Sequence, residues 1–263
     1  MNSYLDKIIE QTASTVELEK QKIPLQELRS YLSDLNETKG FFESIKARHN
    51  DGLISVIAEI KRASPSQGLI RKNFNPKDIA RSYQASQATC LSVLTDTPFF
   101  QGSIEDLASV REVVDLPLLR KDFIIDEYQI YQSRFYGADC ILLIASVLTD
   151  IQLKEFKEIA QDLNLDVLIE VHDKPEMDRA KDLGFSLIGI NNRDLKTFKV
   201  NLETTINLSK DLTDKIIVSE SGIKTKEDIE KIISSGTKTF LVGETFMRAS
   251  DPGEELKKLF FNL

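Results

Sequence analysis

In the run VIAEIKRASPS, Val56 to Ser66, a carboxylate and an ammonium stand two residues apart inside an apolar stretch. In an extended strand, alternation puts Ile57, Glu59 and Lys61 on one face and Val56, Ala58 and Ile60 on the other. Comparable residues close other apolar runs. Arg120, Lys121 and Asp122 follow LPLL. Glu170 lies in DVLIEV, and Asn191, Asn192, Arg193 and Asp194 follow SLIGI. Glu220, Ser221 and Gly222 end KIIVSESG, and Gly243 and Glu244 follow TFLV. Taken singly, a charged residue at a strand end is ordinarily a solvated rim position, and a Glu–Lys pair there is a structural salt bridge. Taken together the bland reading weakens. Glu59, Glu170 and Glu220 with Lys61 and Lys121 would put three carboxylates and two ammonium groups into one apolar cup. Such a cluster is costly unless its members are paired or used. It also shifts pKa values, which suits general acid–base chemistry.

Bringing these ends together is a task for the elements that carry them. Eight strand candidates recur: LISVIAEI (53–60), CLSVL (90–94), LPLLR (116–120), DCILLIA (139–145), DVLIEV (166–171), SLIGI (186–190), KIIVSE (215–220) and TFLVG (239–243). Amphipathic segments follow them, among them PKDIARSYQAS, TDIQLKEFKEIAQDL and TKEDIEKIISSG. Near-continuous apolar strands, each followed by a helix, predict a parallel sheet buried on both faces. Eight such units close most simply as a single (β/α)₈ TIM barrel of the α/β class, whose active site lies at the carboxyl ends of the strands. An open doubly wound sheet is the competing topology, but no G-x-G-x-x-G follows the first strand. Gly137, Gly184 and Gly236 each stand between a helix candidate and a strand, as C-terminal caps do. Residues 1–263 therefore read as one barrel domain. Residues 1–50, polar and helix-forming with Pro24 at the first turn of a second helix, read as an N-terminal helical extension packed on it.

Composition narrows the function. The chain has 263 residues, a net charge of -8 and no lysine-rich block, which argues against nucleic acid as a partner. An anionic substrate would need a local cluster of cations against that field. No run reaches the length of a membrane span, and the start has no signal-peptide core. Cys90 and Cys140 sit in apolar runs and read as reduced, buried thiols, which points to the cytoplasm. The two histidines, His49 in KARHND and His172 in IEVHD, are not set with cysteines at ligand spacing, so no metal site is expected. His49 reads as part of a polar linker, His172 as a bystander after an outward-facing Val171, and KTKEDIEK as a solvated helix face.

The stretch IAEIKRASPSQG closely resembles the signature of the indole-3-glycerol-phosphate synthase family. The resemblance continues in order through LTDTPFFQGS, LLRKDFIIDEYQIYQSR, GADCILLIA, LIEVHD, IGINNRDLKTF, VSESGI and FLVGETFMR, from about residue 5 to 260. Pro98 stands where the family often has a charged residue. The family closes a ring on 1-(2-carboxyphenylamino)-1-deoxyribulose 5-phosphate, releasing carbon dioxide and water without a cofactor. The resemblance implies that Lys121 is the acid at ring closure. Lys61 binds the substrate carboxylate and is the acid in dehydration. Glu59 and Glu170 are the base or its electrostatic partners. Asn191 and Glu220 orient hydroxyls and lysines, Ser221 adds a hydrogen bond, and Arg193 assists the anionic substrate. Ser64, Gly222, Gly243 and the backbone of Glu244 are expected to hold phosphate, with the Glu244 side chain turned away. Phe100 and Phe123 are expected to flank the aromatic ring. A phosphorylated small molecule is the expected partner of a monomeric chain. Two other readings stay open: another phosphosugar barrel acting by isomerisation or a Schiff base, and a non-catalytic barrel that binds a phosphorylated ligand.

Overall fold

The protein is described from a computed structural model, which covers residues 4–194, 197–210, 212 and 214–261. Eight parallel strands close into a barrel: β1 (Ser55–Ile60), β2 (Cys90–Leu94), β3 (Leu118–Lys121), β4 (Cys140–Ile144), β5 (Asp166–Val171), β6 (Leu187–Asn191), β7 (Ile216–Glu220) and β8 (Thr239–Val242). Each strand pairs with its sequence neighbours, and β1 closes on β8 through Ser55↔Thr239 to Ala58↔Val242. The eight expected strands are all present. Their ends move by up to two residues, and Lys121 and Asn191 lie inside strands rather than beyond them.

Alternation along the strands separates two apolar layers. Val56, Ala58 and Ile60 join the outer layer between strands and helices, with Val171 among them. Ile57, Cys90, Leu119, Cys140, Leu168 and Leu241 fill the barrel interior. Both thiols are therefore buried in the barrel core, where desolvation pushes their pKa values up.

Three helices precede the barrel: α1 (Tyr4–Lys22), α2 (Leu25–Ser30) and α3 (Phe41–Asn50). Of the expected linker KARHND, all but Asp51 belongs to α3, and Asp51 is its C-cap. The reason is packing: Phe41 and Ile45 drop into the barrel interior and close its amino-terminal end. His49 Nε2 lies 2.9 Å from Thr239 Oγ1 at that end, far from the strand carboxyl termini. Then follow α4 (Pro76–Ala85), α5 (Thr97–Phe100), α6 (Ile104–Arg111), α7 (Glu127–Phe135), α8 (Asp150–Asp162), α9 (Lys174–Asp182), α10 (Glu203–Leu208), α11 (Lys226–Ile233), α12 (Glu244–Arg248) and α13 (Pro252–Phe260). Side chains fix where several begin. Capping boxes stand at Ser103/Asp106, Asp126/Gln129, Thr149/Gln152 and Thr225/Asp228. Gly137, Gly184 and Gly236 have φ of +87°, +70° and +91° and end helices in the left-handed region, as expected.

Candidate active site

The strand carboxyl ends surround a cavity of about 410 Å³. That is room for a small phosphorylated molecule. Its floor is the expected charged cluster. Lys121 Nζ lies 2.8 Å from Glu170 Oε2 and 2.5 Å from Glu220 Oε2. Lys61 Nζ lies 2.5 Å from Glu59 Oε1. Asn191 Nδ2 donates to Glu170 Oε1 at 3.1 Å, while its Oδ1 accepts from the Arg193 backbone at 3.0 Å. Barrel register brings these groups to one level. Glu170 pairs with Gly189 across β5–β6, and Asn191 pairs with Glu220 across β6–β7.

Two glycines make room for the carboxylates. A Cβ at Gly189 would collide with Glu220 Oε1, and one at Gly243 would collide with Glu59 Oε1. Gly243 was expected only beside phosphate. Nothing in the sequence singled out Gly189, because the side chain that needs the space comes from the neighbouring strand.

Burial and charge set the protonation states. Burial opposes charge on Lys121, but Glu170, Glu220 and Glu59 outweigh it and hold its pKa above the ordinary lysine value. Burial likewise opposes charge on Glu170, yet the Lys121 ammonium and His172 hold its carboxyl well below the usual range. Glu220 goes the other way. Burial, then the charges of Glu170 and Glu59, push it up to about 7 against the pull of Lys121. Two neighbouring carboxyls with opposed shifts are an arrangement for moving protons.

Above the charged floor the wall is apolar. Phe100 and Phe123 border the cavity, their ring centroids 6.2 Å apart. Phe100 ends α5, whose start is fixed by Asp96: its Oδ1 accepts from the backbone N–H groups of Phe99 at 2.8 Å and Phe100 at 3.0 Å. Pro98 stands in the first turn of α5, a place that suits it. Tyr4, Leu5 and Ile8 of α1 complete the wall. Tyr4 stacks edge-on against Phe99 and Phe198, at 5.7 Å from each. The sequence placed these helices on the barrel but not in the site.

Ser64, Ser221, Gly222, Gly243 and Glu244 line the opposite side. Ser221 and Gly222 have φ of +64° and +88°. The conformation is strained for Ser221, not for the glycine, and Asn192 holds it: its Nδ2 donates to Ser221 O at 3.1 Å. Thr245 Oγ1 donates to Ile223 O at 2.7 Å and ties this turn to α12. The Glu244 side chain turns to Arg248 at 3.1 Å and Arg193 at 3.6 Å. Lys224, expected on a solvated face, is exposed but borders the cavity, as Arg193 does. After β1, a two-stranded ribbon (Ala63–Ser64 with Gly68–Leu69) rims the mouth. Its exit is anchored by Arg71, which donates to the carbonyls of Met247, Ala249 and Ser250. Leu195 and Lys196 of INNRDLKTF lie outside the described residues.

His172 is the residue that sequence reasoning set aside. It follows Val171 and so turns inward again. Its Nε2 lies 3.3 Å from Glu170 Oε1 and its Nδ1 3.0 Å from Glu176 Oε2. Strict alternation past the strand end would have found it. Among the described residues no group of metal-ligating side chains occurs, and no helix is long and apolar enough to cross a membrane.

Among solved structures, the fold is similar to 3-hexulose-6-phosphate synthase, with a TM-score of 0.63 at 16% identity over 78% of this chain and 98% of that one. It is also similar to thiamine phosphate pyrophosphorylase from Pyrococcus furiosus, with a TM-score of 0.59 at 16% identity over 78% and 93%. At such identities the likeness is one of fold. Sequence relatives reach further. Proteins named indole-3-glycerol phosphate synthase from Neisseria meningitidis serogroup B and Neisseria gonorrhoeae are each 48% identical over 260 residues, covering 99% of this chain and 100% of theirs. The family model described as Indole-3-glycerol phosphate synthase matches residues 5–259, from the first turns of α1 to the last turn of α13. Carried by nearly the whole barrel and its helical extension, that match means the chain belongs to the indole-3-glycerol phosphate synthase family.

Proposed function

We propose that the protein converts 1-(2-carboxyphenylamino)-1-deoxyribulose 5-phosphate to indole-3-glycerol phosphate, carbon dioxide and water, a carboxy-lyase step of tryptophan biosynthesis. The observation that carries this reading is the Lys121 ammonium set between Glu170 and Glu220 under an apolar wall, with the Lys61–Glu59 pair beside it. In the first step the aryl carbon attacks the C2' carbonyl. Its oxygen becomes an alkoxide, a far stronger base than the carboxylates around Lys121. The Nζ proton then moves to that oxygen, although the same lysine resists deprotonation in the resting site. Loss of carbon dioxide restores the aromatic ring. Loss of the hydroxyl follows, with Lys61 as acid and Glu170 or Glu59 taking the proton from the ring. The electron pair freed with carbon dioxide flows back into the dearomatised ring, so the substrate supplies its own electron sink.

Lys61 also faces the substrate carboxylate in this reading, and Phe100 and Phe123 hold the anthranilate ring. Ser64, Ser221, Gly222, Gly243 and the Glu244 backbone take the phosphate, with Arg193 and Lys224 as the cations that offset the net negative field. Asn191 and Glu220 orient the ribulose hydroxyls and the lysines. We read residues 1–263 as one domain, with residues 1–50 its helical extension, acting as a cytoplasmic monomer.

The test is indole fluorescence after mixing purified protein with the substrate, beside a Lys121→Ala variant. Product from the parent is expected, with kcat lower in the variant by about 10²–10⁴. Equal rates would move the essential proton to Lys61. No product from folded parent protein would overturn the lyase reading in favour of another phosphosugar barrel.

A further inference from the structure

Two carboxyls, Glu170 and Glu220, share the single ammonium of Lys121. One buried cation does not neutralise two buried anions, so one carboxyl must hold a proton or find a second cation. The geometry provides that cation for one of them only. His172 Nε2 lies 3.3 Å from Glu170 Oε1, an ion-pair contact outside hydrogen-bond geometry, and the imidazole is mostly buried. Its other nitrogen meets Glu176 Oε2, which also accepts from the His172 backbone N–H at 2.7 Å. Glu176 sits in the first turn of α9, where the helix dipole favours a carboxylate. His172 is thus clamped between two carboxylates. The ring does not border the cavity, so it meets no substrate.

We infer that His172, pinned by Glu176, is a positioning residue: its imidazolium keeps Glu170 a carboxylate and leaves the exchangeable proton of the cluster to Glu220. The groups facing Glu170 are Lys121 on β3, Asn191 on β6, Glu220 on β7 and His172 itself, with the Glu59–Lys61 pair on β1 across the mouth. Asn191 orients Glu170 Oε1 but adds no charge. Glu220 Oε1 makes no hydrogen bond and faces Gly189, so nothing but Lys121 neutralises that side chain. The opposed directions of the two carboxyls agree with this division. So does His172, which burial pushes down and its two carboxylate partners raise to about 10. The inference rests on the proposed reaction for its catalytic meaning: Glu220 would return a proton to Lys121 after ring closure, while Glu170 stays a base.

The chain holds only two histidines, so NMR of protein labelled with ¹³C,¹⁵N-histidine gives two ring systems. One signal is expected to stay imidazolium to pH 9 and to vanish in His172→Asn. The other, His49, is expected to titrate below the ordinary histidine value, because burial and Lys238 oppose its charge. A His172 ring that titrates below pH 7 overturns the inference. This readout needs no turnover, so it stands apart from success or failure of the lyase reading. The second readout is kcat/KM against pH. In His172→Asn the acidic limb is expected to rise by about one pH unit, with KM nearly unchanged. Glu176→Gln is expected to move the limb the same way, which covers a His172 variant that fails to fold. An acidic limb that stays in place in folded variants overturns the inference, since loss of packing alone would lower rates without moving it.

Discussion

At the scale of single residues, the site is a problem of too many charges in too little water. Glu220 shows the energetic side of it. Its ordinary pKa is 4.5, and the folded chain raises it to about 7. The folded state therefore holds this proton more tightly than the unfolded state. Stability falls as pH rises between these two values, and the cost is complete above about 7. Glu220→Gln removes that cost. The variant should gain stability over the parent at pH 8 relative to pH 4.5, by roughly 3 kcal/mol at most, and lose turnover. Thermal unfolding at the two pH values checks it, and an equal difference at both would mean that Glu220 is ionised throughout. Residue types and alternation were enough to place Glu59, Lys61, Lys121, Glu170 and Glu220 in one cup. They did not reveal how the charges pair, because pairing depends on register between strands far apart in the chain. Gly189 was missed for that reason, and His172 because the inward face was followed only to the end of β5.

At the scale of elements, the informative part is what fixes a helix start. The five-residue stretch from Asp96 to Phe100 carries a cap, a proline and two rings, and together these set the aromatic wall. Asp96 is itself strained electrostatically. Burial, with Asp122 nearby, raises its pKa to about 6 against two backbone hydrogen bonds. Asp96→Ala should cost about 1 kcal/mol of local stability. By freeing Phe100 it should raise KM several-fold with little change in kcat, whereas Asp96→Asn, which keeps an acceptor, should lie near the parent. Steady-state kinetics checks this. A fall confined to kcat would show that α5 supports the acid–base groups instead of the ring slot. The helix starts were legible where a side-chain cap opened an amphipathic run, as at Thr149 and Thr225. The α3 helix was not, because KARHND is polar on its outer face and its apolar anchors, Phe41 and Ile45, lie before that stretch.

At the scale of the molecule, α1 is the least secured part of a wall it helps to form. It buries only Ile8, Thr12 and Val16. It meets α7 through Val16 packed with Tyr128, whose hydroxyl donates to Glu19 O at 3.2 Å, and through Lys20 to the Asp126 cap at 2.7 Å and Gln132 Nε2 to Glu19 at 3.0 Å. So small an apolar face means that α1 should open well before the barrel. Hydrogen-exchange mass spectrometry should show its amides exchanging faster than those of β2 or β4, and slowing when indole-3-glycerol phosphate occupies the cavity beneath Tyr4, Leu5 and Ile8. Equal protection of α1 and the strands would sink this view. The barrel, by contrast, contains its own reporters. Cys90 and Cys140 lie inside it on strands that are not neighbours, sealed below by Phe41 and Ile45. A thiol reagent reaches either sulfur only when α3 withdraws that seal or the closed sheet opens. Labelling by a maleimide in native buffer therefore times the opening of the barrel core. If the sheet opens as one unit, both thiols are modified at one common rate, and a mutation elsewhere changes the two together.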